Sequence, residues 1–156
     1  PQLDFVQPKR FGLTYIDIDG KEQTPVMIHF ALMGAIERFL SVYIEHTAGA
    51  FPLWLAPVQV AIVPISQDQH GYATQLREKL DEQGIRVEIY SEAESMQNRI
   101  RKAAGQKVPY ILVVGKKEVE DQTVSVRQRG SKDSSVVKIE EFANKVREEV
   151  ETRVIW

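Results

Sequence analysis

The sequence contains no cysteine among its 156 residues. Without thiols the chain forms no disulfide framework and offers zinc no thiolate ligand, as is common for proteins of the cytoplasm. Long apolar runs are also missing, because none approaches the roughly 18 to 20 residues that a membrane span needs. The start at Pro1 has neither Met nor the basic-then-apolar layout of a signal peptide. We therefore expect a soluble, cytoplasmic protein without membrane contact, and a chain that begins in the middle of a longer sequence.

Excess charge of either sign is small, because 20 Lys and Arg residues stand against 22 Asp and Glu residues, for a net charge of −2. A global electrostatic field that attracts nucleic acid is therefore excluded, and any RNA contact must come from a local basic patch. Apolar residues make up 43% of the chain. That is enough for the packed core of one ordinary domain with a modest extra part, and it excludes disordered and fibrous classes.

The stretch from Pro25 to Phe39 is the most informative part of the sequence, because it combines a strand, a histidine and a cation in one run. The apolar, β-rich residues 26–31 predict a short strand that contains His29. A helix is predicted next, because apolar side chains recur at helical spacing. They are Ile36, Phe39, Leu40, Tyr43 and Ile44.

From the residues alone, His29 and Arg38 each have two interpretations. A single histidine in an apolar run is more often a core residue than a metal ligand, and one nitrogen cannot complete a site that needs about three protein ligands. Arg38 lies in the first turns of the predicted helix, where the macrodipole disfavours a cation. It is either an exposed arginine paired with a nearby glutamate or a cation that binds an anionic ligand.

The flanking residues predict simple local structure. Residues 3–6 and 13–16 predict two strands, and Asp19-Gly20 predicts a hairpin turn toward the strand at Val26. Residues 48–57 contain two prolines and predict an ordered linker between two bodies.

Strands and helices alternate after the linker. We predict strands at 58–64, 85–89, 110–115 and 123–129, and helices at 68–83, 94–104 and 139–150. Alternation of this kind predicts an α/β fold with a mixed, largely parallel sheet flanked by helices. The strand at 123–129 alternates apolar and polar residues, which predicts an edge strand. A small-molecule-binding domain of flavodoxin type is disfavoured, because no Gly-rich phosphate loop follows any strand.

Two groups of residues resemble a known family. The run from Gly34 to Arg38, with His29 before it, resembles motif 3 of class II aminoacyl-tRNA synthetases in the version of the threonine-specific family. Four later segments resemble the anticodon-binding domain of the same enzymes: 54–60, 84–87, 107–118 and 123–127. The resemblance implies that residues 1–55 are an antiparallel strand and helix fragment of a class II catalytic domain, including motif 3 and the linker. Residues 56–156 would be the anticodon-binding domain.

The resemblance also implies roles for residues in the first part. Arg38 would contact the adenine and phosphates of ATP, and Gln2 would line the pocket for threonine and its adenylate. His29 would be one of three protein ligands of a zinc ion. Phe30 and Ala35 depart from the family pattern, which has an Arg after the histidine and a Ser at the helix start.

In the second part the resemblance implies anticodon contacts by Arg101, Glu118 and Arg127. Each of them alone would more often be a solvated charge. A basic patch is expected around them, from Lys107, Lys116, Lys117, Arg129 and Lys132. Ala93 stands where many relatives have an Asn that contacts the anticodon, so one expected contact is missing or moved. The implied partner is the anticodon stem-loop of threonine tRNA.

For the full-length enzyme the resemblance implies threonine activation with ATP, transfer of threonine to tRNA, a zinc ion, Mg²⁺ with ATP, and a homodimer formed through the catalytic domain. The present chain contains no expected catalytic residue, so we expect it to be inactive alone and to hold no cofactor tightly. The alternative is a non-catalytic, synthetase-like accessory protein that binds RNA or DNA. Retention of Gln2, His29 and Arg38 argues against that alternative.

Overall fold

The structure, a computed structural model, describes residues 1–131 and 133–155. Lys132, part of the expected basic patch, lies outside the described residues. The chain divides into two compact units, residues 1–42 and residues 43–156. The domain boundary between residues 55 and 56 stays a prediction. No helix among the described residues is both long enough and apolar enough to cross a membrane.

The first unit contains four short strands and one short helix, and a second helix begins in it. The elements are β1 (Gln2–Asp4), α1 (Gln7–Arg10), β2 (Tyr15–Ile16), β3 (Glu22–Gln23), β4 (Met27–His29) and α2 (Ile36–Thr47). Strands β1 and β4 form one antiparallel pair, and β2 and β3 form another. Between the two strands predicted at 3–6 and 13–16, residues Gln7–Arg10 form a helical turn, because a proline is tolerated in the first turn of a helix.

The hairpin prediction was wrong about its partner strand. The turn does contain Gly20, but it joins β2 to β3, while the strand near Val26 pairs with β1. The cause is the Asp17 side chain. Its Oδ1 accepts hydrogen bonds from the backbone N–H groups of Asp19 and Lys21, at 2.9 Å and 2.8 Å. These bonds close the turn early and place Glu22 opposite Ile16.

The second unit is built around a five-stranded sheet. Its elements are a 3-10 turn (Leu53–Leu55), β5 (Val60–Pro64), a 3-10 turn (Gln67–Gln69), α3 (His70–Asp81), β6 (Val87–Ile89), α4 (Met96–Gly105), β7 (Tyr110–Val114), α5 (Lys116–Asp121), β8 (Thr123–Gln128), β9 (Ser134–Lys138) and α6 (Ile139–Glu151). The strand order is β6-β5-β7-β8-β9. Only β8 runs against the other four, since β5 is parallel to both β6 and β7 while β8 is antiparallel to β7 and β9. The predicted mixed, largely parallel sheet flanked by helices is confirmed.

The core lies on both faces of this sheet. Val60 and Ile62 point to the face covered by α3 and α6, whereas Ala61 and Val63 point to the face covered by α4. All five residues of β5 are buried, as expected of a continuous apolar strand in the middle of a parallel sheet. Gly84 ends the turn after α3 with φ +75°, a left-handed conformation that favours glycine.

The edge position predicted for residues 123–129 was wrong. Val124 and Val126 do point into the core, but β8 is interior because β9 pairs with it from Thr123↔Lys138 to Arg127↔Ser134. Strand β9 has the sequence Ser-Ser-Val-Val-Lys, and four of its five residues are exposed. Such a mostly polar segment gives little strand signal of its own, because it is held mainly by backbone pairing to its neighbour.

Candidate nucleic-acid interface

A cavity of about 840 Å³ opens in the second unit between α4, the start of β7 and the end of β8. Arg101 and Arg127 both line it, although they are far apart in sequence. Two further cations, Lys107 and Arg129, complete the set, and none of the described residues that line the cavity is Asp or Glu. We call this site the cationic cavity. The sequence predicts that Arg101 and Arg127 share one function, and the structure brings them together.

Helix α4 presents Arg101 because its opposite side is held in the core. The helix starts at Ser95, whose Oγ accepts the backbone N–H of Asn98 at 3.3 Å, a common N-cap. Arg99 and Ala103 are buried on the inner side, whereas Arg101 is exposed. Half-buried Ile100 packs on the sheet and forms part of the floor of the cavity.

Arg127 reaches the same cavity through strand alternation. It lies opposite Ile111 of β7, on the face that α4 covers, while its neighbour Val126 points to the other face. Ile111 and Val108 supply apolar surface to the floor. The cavity therefore offers apolar surface to base rings and cationic side chains to phosphates or base edges, which is the combination that single-stranded RNA needs.

Glu118 lies elsewhere, on α5 beyond the carboxyl end of β7, and it is not among the residues that line the cationic cavity. Its Oε2 accepts the backbone N–H of Gly115 at 2.8 Å. This bond caps the first turn of α5 and gives Glu118 a structural role. Its role as an anticodon contact stays a prediction. Lys116 and Lys117, on the same short helix, are exposed and do not line the cavity either.

Ala93 lies in the loop after β6 and lines a second, smaller cavity of about 280 Å³ at the carboxyl ends of β5 and β6. Buried Arg99 borders that cavity and donates to the carbonyls of Tyr90 and Ile65, both at 3.3 Å. Glu92, in the same loop, pairs with Lys102. The hydrogen bond from Lys102 lowers the pKa of the Glu92 carboxyl below its ordinary value.

In the first unit, β1 and β4 bring Gln2 and His29 opposite each other. His29 is half exposed, and its Nε2 lies 2.9 Å from Oδ2 of Asp4. The Asp4 carboxyl accepts hydrogen bonds from the N–H groups of Gln7 and Val6 as well. Its pKa is lowered first by the bond from Gln7 and then by that from His29.

The residues around His29 do not fit a zinc site on their own. Zinc takes about four ligands, at least three of them usually from protein. No group of three or more His, Cys, Asp or Glu side chains that could hold a metal ion exists among the described residues. The assignment of His29 as a zinc ligand stays a prediction.

Arg38 is exposed on the first turns of α2. It borders an open hollow of about 580 Å³ with Met33, Gly34, Ala35, Phe39 and Val42. A cation beside an apolar hollow suits an aromatic ring that carries phosphates, but the hollow holds no other charged residue among those described. The assignments of Arg38 and Gln2 to ATP and threonine stay predictions.

The sequence did not indicate what Arg129 does. It was expected to be one cation of a solvated basic patch, but its guanidinium donates to the backbone carbonyls of Lys107 at 2.7 Å, Phe51 at 2.8 Å and Ala50 at 3.4 Å. The one available signal was its position two residues after Arg127, which puts both side chains on the same face of an extended strand.

Comparison with known proteins shows which families the two parts of the chain resemble. Residues 59–149 match the family described as anticodon binding domain, and residues 2–47 match the tRNA synthetase class II core domain (G, H, P, S and T). The RNA binding domain of threonyl-tRNA synthetase from Cryptosporidium parvum Iowa II has a similar structure, with a TM-score of 0.71 and 32% identity. That match covers 94% of this chain and 37% of the other.

Curated relatives named threonine–tRNA ligase are similar along most of the sequence. The protein from Acetivibrio thermocellus is 47% identical over 97% of this chain and 24% of its own length. The protein from Thermus thermophilus is 54% identical over 82% of this chain and 19% of its own length. The chain thus spans about a quarter of the length of most of the curated relatives that it matches. It belongs to the anticodon binding domain family, and the resemblance to threonyl-tRNA synthetases predicted from its sequence is confirmed.

Proposed function

We propose that residues 43–156 bind the anticodon loop of a threonine tRNA at the cationic cavity. One observation carries the proposal: Arg101 and Arg127, from two separate elements, meet over an apolar floor inside the segment that matches the anticodon binding domain family. A guanidinium group forks onto a base edge or onto a phosphate, and both choices suit an unpaired loop. Lys107 acts as a point charge toward the phosphate backbone.

We further propose that the chain is the C-terminal portion of a cytoplasmic threonine–tRNA ligase. In the full-length enzyme, threonine is activated with ATP and transferred to tRNA, Mg²⁺ accompanies ATP, and a homodimer forms through the catalytic domain. Gln2 and Arg38 then contribute to the threonine and ATP sites. His29 supplies one ligand to a zinc ion whose other ligands lie outside this chain. The present chain alone is expected to make no adenylate.

The test of anticodon binding is titration of a labelled RNA hairpin that carries the anticodon loop of threonine tRNA. Threonine anticodons share G in the middle position, so the competitor is the same hairpin with that G changed to A. We expect the wild type to prefer the G hairpin by about 1 to 3 kcal/mol. Arg101→Gln and Arg127→Gln should each weaken binding by about tenfold or more.

Arg77→Gln is the matched control. Arg77 is a half-exposed cation of α3 whose Nε lies 3.9 Å from Asp81, and it does not line the cationic cavity. Its substitution should leave hairpin affinity unchanged. Equal affinity of the wild type for both hairpins would show that the domain does not read the anticodon.

Glu118 is tested separately, because its carboxylate also caps α5. Glu118→Gln keeps an oxygen that can accept the Gly115 N–H but removes the charge, whereas Glu118→Ala removes both. If Glu118 accepts from the guanine, both variants should lose preference for the G hairpin. If it only caps the helix, Glu118→Ala should lower the free energy of unfolding by about 0.5 to 2 kcal/mol and leave the preference intact. Urea unfolding and hairpin titration of the two variants distinguish these outcomes.

A further inference from the structure

Arg129 joins two backbone segments that are distant in sequence. Its Nη1 donates to the carbonyl of Lys107 at 2.7 Å, in the turn between α4 and β7. Its Nη2 donates to the carbonyls of Phe51 at 2.8 Å and Ala50 at 3.4 Å, in the segment after α2. The Arg129 backbone N–H donates in addition to the carbonyl of Pro109 at 2.8 Å. The end of β8 is therefore tied to both segments.

Lys107, which accepts one of these bonds, has an unfavourable backbone conformation. Lys107 has φ +61°, a left-handed conformation that costs a non-glycine residue about 1 kcal/mol or more. Its carbonyl accepts a guanidinium bond of 2.7 Å, shorter than those to Phe51 and Ala50. The turn at Lys107 is closed by backbone bonds from the Lys107 N–H to the Ala104 carbonyl and from the Val108 N–H to the Ala103 carbonyl. The charge-assisted bond from Arg129 to the Lys107 carbonyl adds to them, and such bonds are stronger than neutral ones.

The segment after α2 is fixed in a second way. The ring of Phe51 stacks on that of Tyr43, with 5.5 Å between the ring centroids and an interplanar angle of 21°. Ala50, beside Phe51, lines the cationic cavity, as does Lys107. The guanidinium of Arg129 thus contacts two segments that line the cavity, one at Ala50 and one at Lys107.

We propose that Arg129 is a positioning residue of the cationic cavity: it fixes the backbone that carries Ala50 and Lys107, and it contributes to RNA binding through the shape of the cavity rather than as a point charge. This inference rests on the proposed function for its RNA readout, but the positioning itself does not require RNA. A lysine cannot replace Arg129 in this role, because one ammonium lacks the planar fork that serves carbonyls on two segments.

The first experiment compares Arg129→Lys with Arg129→Gln in titrations of the threonine anticodon hairpin. Both variants are expected to lower affinity roughly tenfold, because both lose the forked bonds. A role as a point charge would instead let Arg129→Lys bind like the wild type, and that result would overturn the inference. Thermal unfolding of each variant shows that titration is carried out on folded protein.

The second experiment separates positioning of Lys107 from general destabilisation. Lys107→Gln is measured in the wild type and in the Arg129→Lys background, and Arg101→Gln is measured in the same two backgrounds. We expect Lys107→Gln to lose much of its effect when Arg129 is already changed, while Arg101→Gln keeps its full effect. Additive losses at both positions would contradict a specific link between Arg129 and Lys107.

The third experiment uses NMR without RNA. Arg129→Lys should move the amide resonances of Ala50, Phe51 and Lys107, whereas Arg127→Lys, the same change two residues earlier, should leave them in place. In the unsubstituted protein the Nη protons of Arg129 should exchange slowly and keep their shifts when the hairpin is added. Unmoved resonances in Arg129→Lys, or a large shift of the Arg129 protons on binding, would overturn the inference. Failure of the wild type to bind the hairpin would overturn the proposed function alone, because the RNA-free spectra still decide whether Arg129 positions the two segments.

Discussion

The two units of the chain differ in how far their apolar side chains are buried. In residues 43–156 the inner strands β5 and β7 of one sheet are covered on both faces, and the buried hydrophobic residues run from Leu53 to Val146. In residues 1–42, all of which the structure describes, Pro8 alone is buried. Large apolar side chains such as Phe5, Ile18 and Leu32 are exposed there.

The difference shows that strand pairing alone does not form a hydrophobic core when no other element covers a face of the strands. Both antiparallel pairs of the first unit have only two strands, and isolated two-stranded sheets are marginally stable in water. Their backbone bonds are formed, but most of their large apolar side chains are exposed, and burial of apolar area is the dominant favourable contribution to folding. The second unit should therefore carry nearly all of the stability of this chain.

The largest effect on stability is expected when the same type of substitution, isoleucine to alanine, is made separately in each unit. Ile62 in β5 is fully buried, whereas Ile28 in β4 is 65% exposed. Ile62→Ala should lower the free energy of unfolding by about 2 to 5 kcal/mol, because it leaves a cavity in the core. Ile28→Ala should change it by no more than about 0.5 kcal/mol. Urea unfolding followed by far-UV circular dichroism measures both, and similar losses would mean that the first unit has a core of its own.

A smaller effect is expected at alkaline pH, in the second unit. Burial, followed by the charge of Glu88, raises the pKa of Tyr90 from 10.0 to about 12. Because the folded state holds the proton more tightly, the associated stability is complete below pH 10 and is lost as the pH rises through about 12. The loss should reach roughly 3 kcal/mol at most.

Tyr90→Phe is the control for this prediction, since the ring stays and the proton is removed. Between pH 10 and about 12, the free energy of unfolding should decline less steeply in Tyr90→Phe than in the wild type. The decline should not vanish, because the pKa of the buried Tyr110 hydroxyl is also raised, first by burial and then by its hydrogen bond to Glu149. Identical alkaline profiles of the two proteins would exclude a contribution from Tyr90.

The sequence predicted those elements whose signal is local. The strand predicted at 58–64 and the helices predicted at 68–83 and 139–150 each follow from a local pattern that needs no reference to the rest of the chain. Strand β9 was missed because its residues are mostly polar and it exists through pairing with β8. Strand β3 was missed for a similar reason, since Glu22 and Gln23 are aligned by the turn at Asp17.

The same division applies to the candidate site. Exposure of Arg101 follows from the helical period, and the face of Arg127 follows from strand alternation. Their meeting at one cavity depends on how α4 packs on β7. Neither the helical period nor strand alternation gives information about that packing. The carbonyls that Arg129 contacts lie 22, 78 and 79 residues away. Such pairings are set by tertiary structure alone, and for this reason a cation expected in a solvated patch has a structural role.

The smallest effect is expected in the first unit, at acid pH. The pKa of the Asp17 carboxyl is lowered from 3.8, first by the hydrogen bond from the Lys21 backbone N–H. Its Oδ2 also accepts from Nε2 of Gln23 at 3.1 Å. A lowered pKa means that the stabilisation is present above 3.8 and is lost as the pH falls through the folded value. The hairpin of β2 and β3 should therefore open in acid while the sheet of the second unit persists.

NMR contacts between Tyr15 and Gln23, which face each other across the hairpin, report its opening, and the parallel pair of β5 and β6 serves as the internal reference. Asp17→Asn is the matched variant, because its side-chain oxygen still accepts the turn N–H groups but does not titrate in this range. The hairpin of Asp17→Asn should stay closed at a pH where that of the wild type opens. If the hairpin opens at the same pH in the wild type and in Asp17→Asn, the transition belongs to other carboxyl groups. Asp17 would then stabilise the turn only through hydrogen bonds that do not depend on its charge.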